Sequence, residues 1–414
     1  MALTPTARTA PTPTETTEGT ERSFAGLAAL VGPGQVRSFL DQSLGRDALR
    51  TALSADEARA LFGWARLNAA LAEHRLAPPR LRLERGGKDV TRGLFRERRP
   101  RRGPPLQDLD PRVLTERLRE GATLIIDSAS ELSAPLRGLC AQLAGEFACA
   151  CQANLYACWG TTQGFDVHWD DHDVFVVQVE GRKRWALYGM TERAPTRRAA
   201  ASENRPQTPL EEVVLEPGDV LYLPRGYWHA AVGQGEPTLH LTIGLTRKTG
   251  GDFLHWLADH ALADAAARTD LPLERDDRIL AAHLSGLLAR LAAEAPEALA
   301  ALYRRHVEGH QALRPQLSFP FIGQERAWPP GAGIRLADGI ARLSDAEGGC
   351  LLSWRGNEFT VDAALAEPLA ALVAGETLAY AAMDAALPPD ARPHLAAFVS
   401  DMVGRGVFQV EPAP

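Results

Sequence analysis

Between Ala122 and Leu245 the chain breaks into short runs rich in β-branched and aromatic residues: TLIID, ANLYACW, FDVHWD, DVFVVQVE, KRWALYG, DVLYLP and TLHLTIGL. Gly- and Pro-rich turns separate them, and one helix-like stretch, Ser133 to Glu146, interrupts. Many short strands at this spacing point to a double-sheet barrel of the jelly-roll type. A chain of 414 residues also has room for further units on either side of it.

Those flanks read differently. Residues 1–22 are dominated by Thr and Pro and have almost nothing to bury, so a disordered tail is expected there. From Ser23 to Ala72 apolar residues recur at spacings of three and four, in GPGQVRSFLDQSLGRDAL and SADEARALFGWARLNAALAEH, and Ser54 with Glu57 forms a capping-box signature. RLRLERGGKDV then reads as strand material around a Gly86–Gly87 turn. Arg92, Arg96, Arg98, Arg99, Arg101 and Arg102 follow, either as a solvated loop or as a surface for an acidic partner. Beyond the barrel, Asp252 to Leu313 is Ala/Leu-rich and helical. Residues 315–414 mix short strands (GIRLADG, GGCLLSW, EFTVD, FQV) with helices (EPLAALVAG, TLAYAAMDAAL, RPHLAAFVSDMVGRG), an order compatible with a winged-helix-like module. The expected division is an α/β extension over 23–120, a catalytic barrel over 121–250, a helical segment over 251–314 that pairs two copies, and a C-terminal unit over 315–414. The fold class is α+β with a double-stranded β-helix core.

Composition narrows the function. With 45 Lys+Arg against 52 Asp+Glu the formal charge is −7, which argues against nonspecific nucleic-acid binding by the chain as a whole. The C-terminal helices are poor in the Lys and Arg that phosphate contacts require. Five cysteines without a CxxC pair make a disulfide scaffold or a thiolate zinc site unexpected and suit a reducing cytoplasm. No apolar run reaches the roughly 20 residues of a membrane helix.

The chemistry concentrates in Gln163-Gly-Phe-Asp-Val-His168-Trp-Asp170-Asp-His172. Two residues apart in a strand, His168 and Asp170 leave the same face. A third donor comes from Pro217-Gly-Asp219-Val-Leu-Tyr-Leu-Pro224-Arg-Gly-Tyr-Trp-His229, where His229 opens a strand that can return beside the first. Two imidazoles and one carboxylate leave coordination positions open, as in non-haem Fe(II) oxygenases, whereas a structural zinc site closes all four. His172 has the same parity and is a rival ligand. Asp170 is preferred, with His172 expected to pack or hydrogen-bond nearby and Asp171 to face the other way. A 2-oxo acid cosubstrate needs a buried cation for its far carboxylate. In Gly181-Arg-Lys183-Arg-Trp185-Ala-Leu187, Lys183 shares a face with Trp185 and Leu187 and is the inward cation, with Arg182 and Arg184 outside.

With Asn154-Leu-Tyr156, Gln163-Gly-Phe, His168-Trp-Asp170, Phe175-Val-Val-Gln178-Val-Glu-Gly181-Arg-Lys183-Arg-Trp185, Pro224-Arg-Gly-Tyr-Trp-His229 and Leu239-His240-Leu-Thr242 in this order, the barrel resembles the JmjC-type Fe(II)/2-oxoglutarate oxygenases. Within them it resembles the ribosomal-oxygenase branch of cupin-like protein hydroxylases. The resemblance implies iron on His168, Asp170 and His229. It implies 2-oxoglutarate on Lys183, with Tyr156, Asn154 and Thr242 lining its pocket, and dioxygen as oxidant. It also implies a helical dimerisation segment and a winged-helix-like end. Two departures are visible: a cosubstrate-binding serine of human members falls at Gly244 or Leu245 here, and bacterial members have Arg where this chain has Lys183.

The function expected from these features is hydroxylation of a side chain of a protein, a ribosomal protein among the candidates, with decarboxylation of 2-oxoglutarate to succinate. Alternatives are hydroxylation of a ribosomally made peptide or a small molecule, lysine demethylation, and a non-catalytic cupin scaffold. A homodimer is expected from the apolar helices after the barrel, with no membrane partner and no nucleic acid.

Overall fold

The computed structural model describes residues 25–196, 205–310, 317–321, 328–337, 341–346 and 348–412. The tail expected over 1–22 lies outside the described residues. The first described helix, Ala25–Val31, is followed by strand β1 (Leu49–Ala52) and by helices Ala55–Phe62 and Trp64–Glu73. Ser54 and Glu57 form the capping box their spacing suggested: Ser54 Oγ accepts from the Glu57 backbone N–H, and the Glu57 carboxylate accepts from that of Ser54 at 2.8 Å. The helical pattern expected through GPGQVRSFLDQSLGRDAL is broken. Short turns run only to Ser43, Gly45 takes a positive φ of 70°, and Leu49–Ala52 is drawn out to pair with a barrel strand. Pairing with a sheet edge outweighs local helical preference at that point.

Strands β2 (Leu81–Arg85) and β3 (Lys88–Asp89) flank the Gly86–Gly87 turn. The arginine-rich stretch is neither a bare loop nor an uncompensated patch. It forms a hairpin of β4 (Phe95–Arg98) and β5 (Leu106–Leu109), and three of its arginines meet acids of their own neighbourhood: Arg96 with Asp110, Arg98 with Asp108 and Arg99 with Glu97.

The barrel follows as β6 (Thr123–Ile126), helix Ala134–Phe147, β7 (Ala150–Cys158), β8 (Asp173–Glu180), β9 (Lys183–Met190), β10 (Glu211–Leu215), β11 (Asp219–Leu223), β12 (Tyr227–Gly233) and β13 (Thr238–Thr246). One sheet runs β1-β11-β8-β13-β7-β6-β2-β3, and a smaller one, β10-β9-β12, faces it. The strands pair antiparallel throughout both sheets, which gives the jelly-roll core. The expected strands appear with one exception, FDVHWD, which contributes only a single bridge at His168. Strand β10 had no counterpart in the expected set.

Alternation along the strands decides what fills the barrel. On β13, Leu239, Leu241, Ile243 and Leu245 point outward into a core shared with the N-terminal helices and helix Ala134–Phe147. Between the two sheets lies a smaller apolar cluster, including Val176, Trp185, Leu187, Val213, Leu215 and Leu223. That cluster plugs only part of the barrel. The remainder is the pocket described below.

After the barrel come helices Gly250–Ala261, Asp277–Ala292 and Pro296–Gly309. A further apolar core joins β14 (Gly333–Leu336), β15 (Arg342–Ala346), β16 (Gly349–Trp354), β17 (Asn357–Asp362), β18 (Leu378–Ala379) and β19 (Phe408–Glu411) to helices Ala366–Val373, Tyr380–Ala386 and Arg392–Gly404. Strand β15 was not expected, and TLAYAAMDAAL starts as strand before turning helical.

Candidate metal centre and its pocket

His168 and His229 are joined through their backbones. Each donates its N–H to the other's carbonyl, at 3.1 and 2.8 Å, so one bridge sets the two imidazoles side by side with ring centroids 4.5 Å apart. The turn before β12 carries the rest of the geometry. Gly226, at φ 85°, donates its N–H to the Asp170 carbonyl at 3.0 Å, and a Cβ there would lie 2.6 Å from the Pro195 ring. Asp173, 2% exposed, accepts from Arg225 N–H at 2.8 Å and from Arg247 Nε at 2.5 Å, fastening the turn to β8 and to the end of β13. The strand expected at His168–Asp170 is thus replaced by a bend. The bend still delivers both side chains to one place.

One donor atom each from His168, Asp170 and His229 lie within 4.8 Å of one another, the one such group of three among the described residues. His229 Nε2 stands 3.6 Å from Asp170 Oδ2. Each imidazole donates its Nδ1–H to a backbone carbonyl, His168 to Asp166 at 2.8 Å and His229 to Tyr227 at 2.9 Å, which leaves Nε2 as the free lone pair. Burial, reinforced by the neighbouring His168, holds the His229 imidazole well below its ordinary pKa, so it is neutral at pH 7. Imidazoles with oriented Nε2 atoms beside a carboxylate are what a divalent iron site requires. The donor set fits the ion.

These donors open on a cavity of about 260 Å³, far above the ~10–15 Å³ that admits one water. Lys183 is 6% exposed on its wall and pairs with no acid among the described residues; burial lowers its pKa. Arg182 and Arg184 are outside, paired with Glu236 and Glu212. Asn154, Tyr156 and Thr242 line the same cavity. Asn154 Oδ1 accepts from Ser128 N–H at 2.9 Å, and burial pushes the Tyr156 phenol up to about 12.

His172 also lines the cavity but stands outside the group of three. Its Nδ1 meets Asp171 Oδ1 at 3.0 Å, and its ring lies over Gly244, where a Cβ would come within 2.6 Å of it. Asp171 therefore holds His172 rather than turning away from it.

Sequence reasoning gave no role to His240, Arg82 or Phe165, all on the cavity wall. His240 stacks on Tyr156 at 4.9 Å and 9° and meets Trp185 edge-on at 5.5 Å. Burial first, then the Lys183 charge, drives its pKa well below the ordinary imidazole value. Arg82 is held by Asp127 and Glu84 and lies 6.0 Å over Phe165. A sequence signal for His240 existed: on both β7 and β13 the residues of one parity are apolar, while the other parity carries Gln152, Asn154 and Tyr156, or His240 and Thr242. Polar residues on the inward face of a barrel strand mark a pocket.

Residues 135–253 match the JmjC domain family. A protein of Aedes aegypti, the bifunctional lysine-specific demethylase and histidyl-hydroxylase NO66, is 45% identical over 126 residues, 29% of this chain and 20% of that one. The NO66 protein of Dictyostelium discoideum is 34% identical over 158 residues, 37% of this chain and 31% of that one. The chain thus spans less than a third of the length of these curated relatives. Among solved structures, Escherichia coli ribosomal oxygenase YcfD superposes over 91% of this chain and 98% of its own, with a TM-score of 0.56 and 16% identity. YcfD in complex with cobalt and 2-oxoglutarate superposes with a TM-score of 0.55 at 15% identity, over 90% of this chain and 97% of its own. At that identity the likeness is one of fold.

Proposed function

We propose that this JmjC-domain chain is an Fe(II)- and 2-oxoglutarate-dependent dioxygenase that hydroxylates a side chain of a protein. The observation that carries the reading is a single one: a buried ammonium that pairs with no acid among the described residues shares a cavity with a two-histidine, one-carboxylate cluster. A cation so placed costs stability unless an anion joins it. A scaffold has no physical use for the combination.

In this reading His168, Asp170 and His229 would hold the iron. Bound there, iron and 2-oxoglutarate supply the oxidising chemistry, with dioxygen consumed and succinate and carbon dioxide released. The protein's part is placement and exclusion. Lys183 pairs with the distal carboxylate, and Asn154, Tyr156 and Thr242 face the rest of the diacid. Val174, Val176 and Trp185 keep the wall apolar. The backbone carbonyls of Asp166 and Tyr227 hold the imidazole protons on Nδ1.

A ribosomal protein is the proposed substrate class, supported by the whole-chain likeness in fold to a ribosomal oxygenase. The name of the curated relatives carries both lysine demethylation and histidyl hydroxylation; hydroxylation is preferred because the likeness over the full chain is to a ribosomal oxygenase. Five free cysteines are consistent with the proposed cytoplasmic location, and no helix among the described residues is long and apolar enough to cross a membrane.

The test is turnover. The iron-loaded chain is expected to convert 2-oxoglutarate slowly to succinate even without substrate. His168→Ala or Asp170→Ala is expected to abolish that conversion, and Lys183→Ala to raise the 2-oxoglutarate concentration it needs. Normal iron binding with no succinate formed would favour the scaffold. Mass spectrometry of a proteome with and without the protein, searched for added oxygen on ribosomal proteins, then identifies the target.

A further inference from the structure

His240 is only 4% exposed, yet it lines the cavity, and its Nδ1 has no hydrogen-bond partner among the described residues. Its ring is fixed from two sides, stacked on Tyr156 at 4.9 Å and against the edge of Trp185 at 5.5 Å. The Trp185 Nε1–H beside it is likewise buried without a partner among the described residues. Packing alone does not account for a histidine here, because phenylalanine would fill the same stack and leave no polar atom unpaired. Buried polar atoms are nearly always paired, so an unpaired histidine beside a cavity calls for a partner that the described residues do not supply. Lys183 lies close enough for its charge to act on the ring, and it too pairs with no acid among the described residues. His240 Nδ1 and Trp185 Nε1 thus meet no acceptor among the described residues. A carboxylate, with about four lone-pair sites on its two oxygens, can satisfy an ammonium and an imidazole N–H together.

We propose that His240 is a second anchor for the distal carboxylate of the bound diacid, its imidazole N–H and the Lys183 ammonium sharing that group. The inference rests on the reading of the cavity as a 2-oxoglutarate site. A neutral ring adds a directed hydrogen bond without adding a second charge to be neutralised. Tyr156 and Trp185 supply the orientation.

The test compares two ligands on the full chain loaded with Mn(II) in place of iron. 2-Oxoglutarate carries the distal carboxylate, whereas oxalate chelates metal and lacks it. In titration calorimetry His240→Phe, which keeps the stack, is expected to weaken 2-oxoglutarate binding by roughly ten- to a hundredfold, the loss of one hydrogen bond to a charged group. Oxalate binding is expected to stay unchanged, and His240→Gln, which retains a donor, to recover part of the loss. An equal loss for both ligands assigns His240 to packing and overturns the proposal, as does unchanged 2-oxoglutarate binding. If Lys183→Met weakens 2-oxoglutarate while His240→Phe does not, the second anchor fails and the cosubstrate reading stands. If the wild-type chain shows no metal-dependent 2-oxoglutarate binding, the cosubstrate reading itself fails. Should His240→Phe not fold, nitrogen-15 histidine NMR on the wild-type chain loaded with diamagnetic Zn(II) decides: the His240 ring signals are expected to move with 2-oxoglutarate and not with oxalate, and the same movement with both overturns the proposal.

Discussion

Gly244 and His172 occupy a single space. A Cβ at 244 would come within 2.6 Å of His172 Cδ2 and 2.7 Å of its Nε2, so Gly244→Ala must expel the ring or bend β13. The expected cost is about 1–3 kcal/mol, the usual range for overpacking. Denaturant unfolding measures it, and His172→Ala in the same chain is expected to return most of the loss, because the two changes share one contact. His240 makes a different demand. Its folded pKa lies below the ordinary ~6.5 of the unfolded chain, so below pH 6.5 the unfolded state binds more protons and stability falls as the pH drops. For the metal-free chain, wild type is expected to lose more stability than His240→Phe between pH 7 and pH 5. The slope contributed by one histidine is at most ~1.4 kcal/mol per pH unit. Equal losses in the two proteins would show that His240 is not held neutral by the fold.

The centre is assembled by a bend and a turn more than by strands. Asp173 ties the turn before β12 to the sheets through Arg225 and Arg247, and Gly226 in that turn holds the carbonyl of Asp170. Asp173→Ala is therefore expected to lower stability by roughly 1–3 kcal/mol and to weaken metal binding, although it touches no metal ligand's side chain. Unfolding and metal titration of the same variant check both. Much of this architecture is legible in the amino-acid sequence, and the reason is periodicity. Strands such as β8 and β13 are buried on at least one face, so their apolar parity is written residue by residue. The segment at His168 alternates in the same way but meets only one partner residue, and alternation cannot distinguish a strand from a bend pinned at a single bridge. His168, Asp170, His229 and Lys183 were legible because their residue types are costly to assemble without a use. The contacts of His240 and Gly244 were not, since they depend on Tyr156, Trp185 and His172, which come from other elements.

Across the whole molecule the helices after the barrel stand apart. Helices Gly250–Ala261 and Asp277–Ala292 bury no residue, while Leu254, Leu262, Leu273, Ile279 and Leu288 are each at least half exposed. We propose that a second copy of the chain covers them. Light scattering on the eluting protein is expected to give twice the 44.8 kDa chain mass, and Ile279→Asp with Leu288→Asp to give the monomer. A clean monomer of wild type at micromolar concentration would refute the pairing. The centre itself is tested most directly by the affinity of Mn(II) for wild type, Asp170→Ala and His172→Ala, followed by electron paramagnetic resonance of the free ion. Loss of Asp170 is expected to weaken binding at least tenfold, with His172→Ala close to wild type. Full affinity in Asp170→Ala together with its loss in His172→Ala would contradict the ligand set on which the proposed chemistry stands.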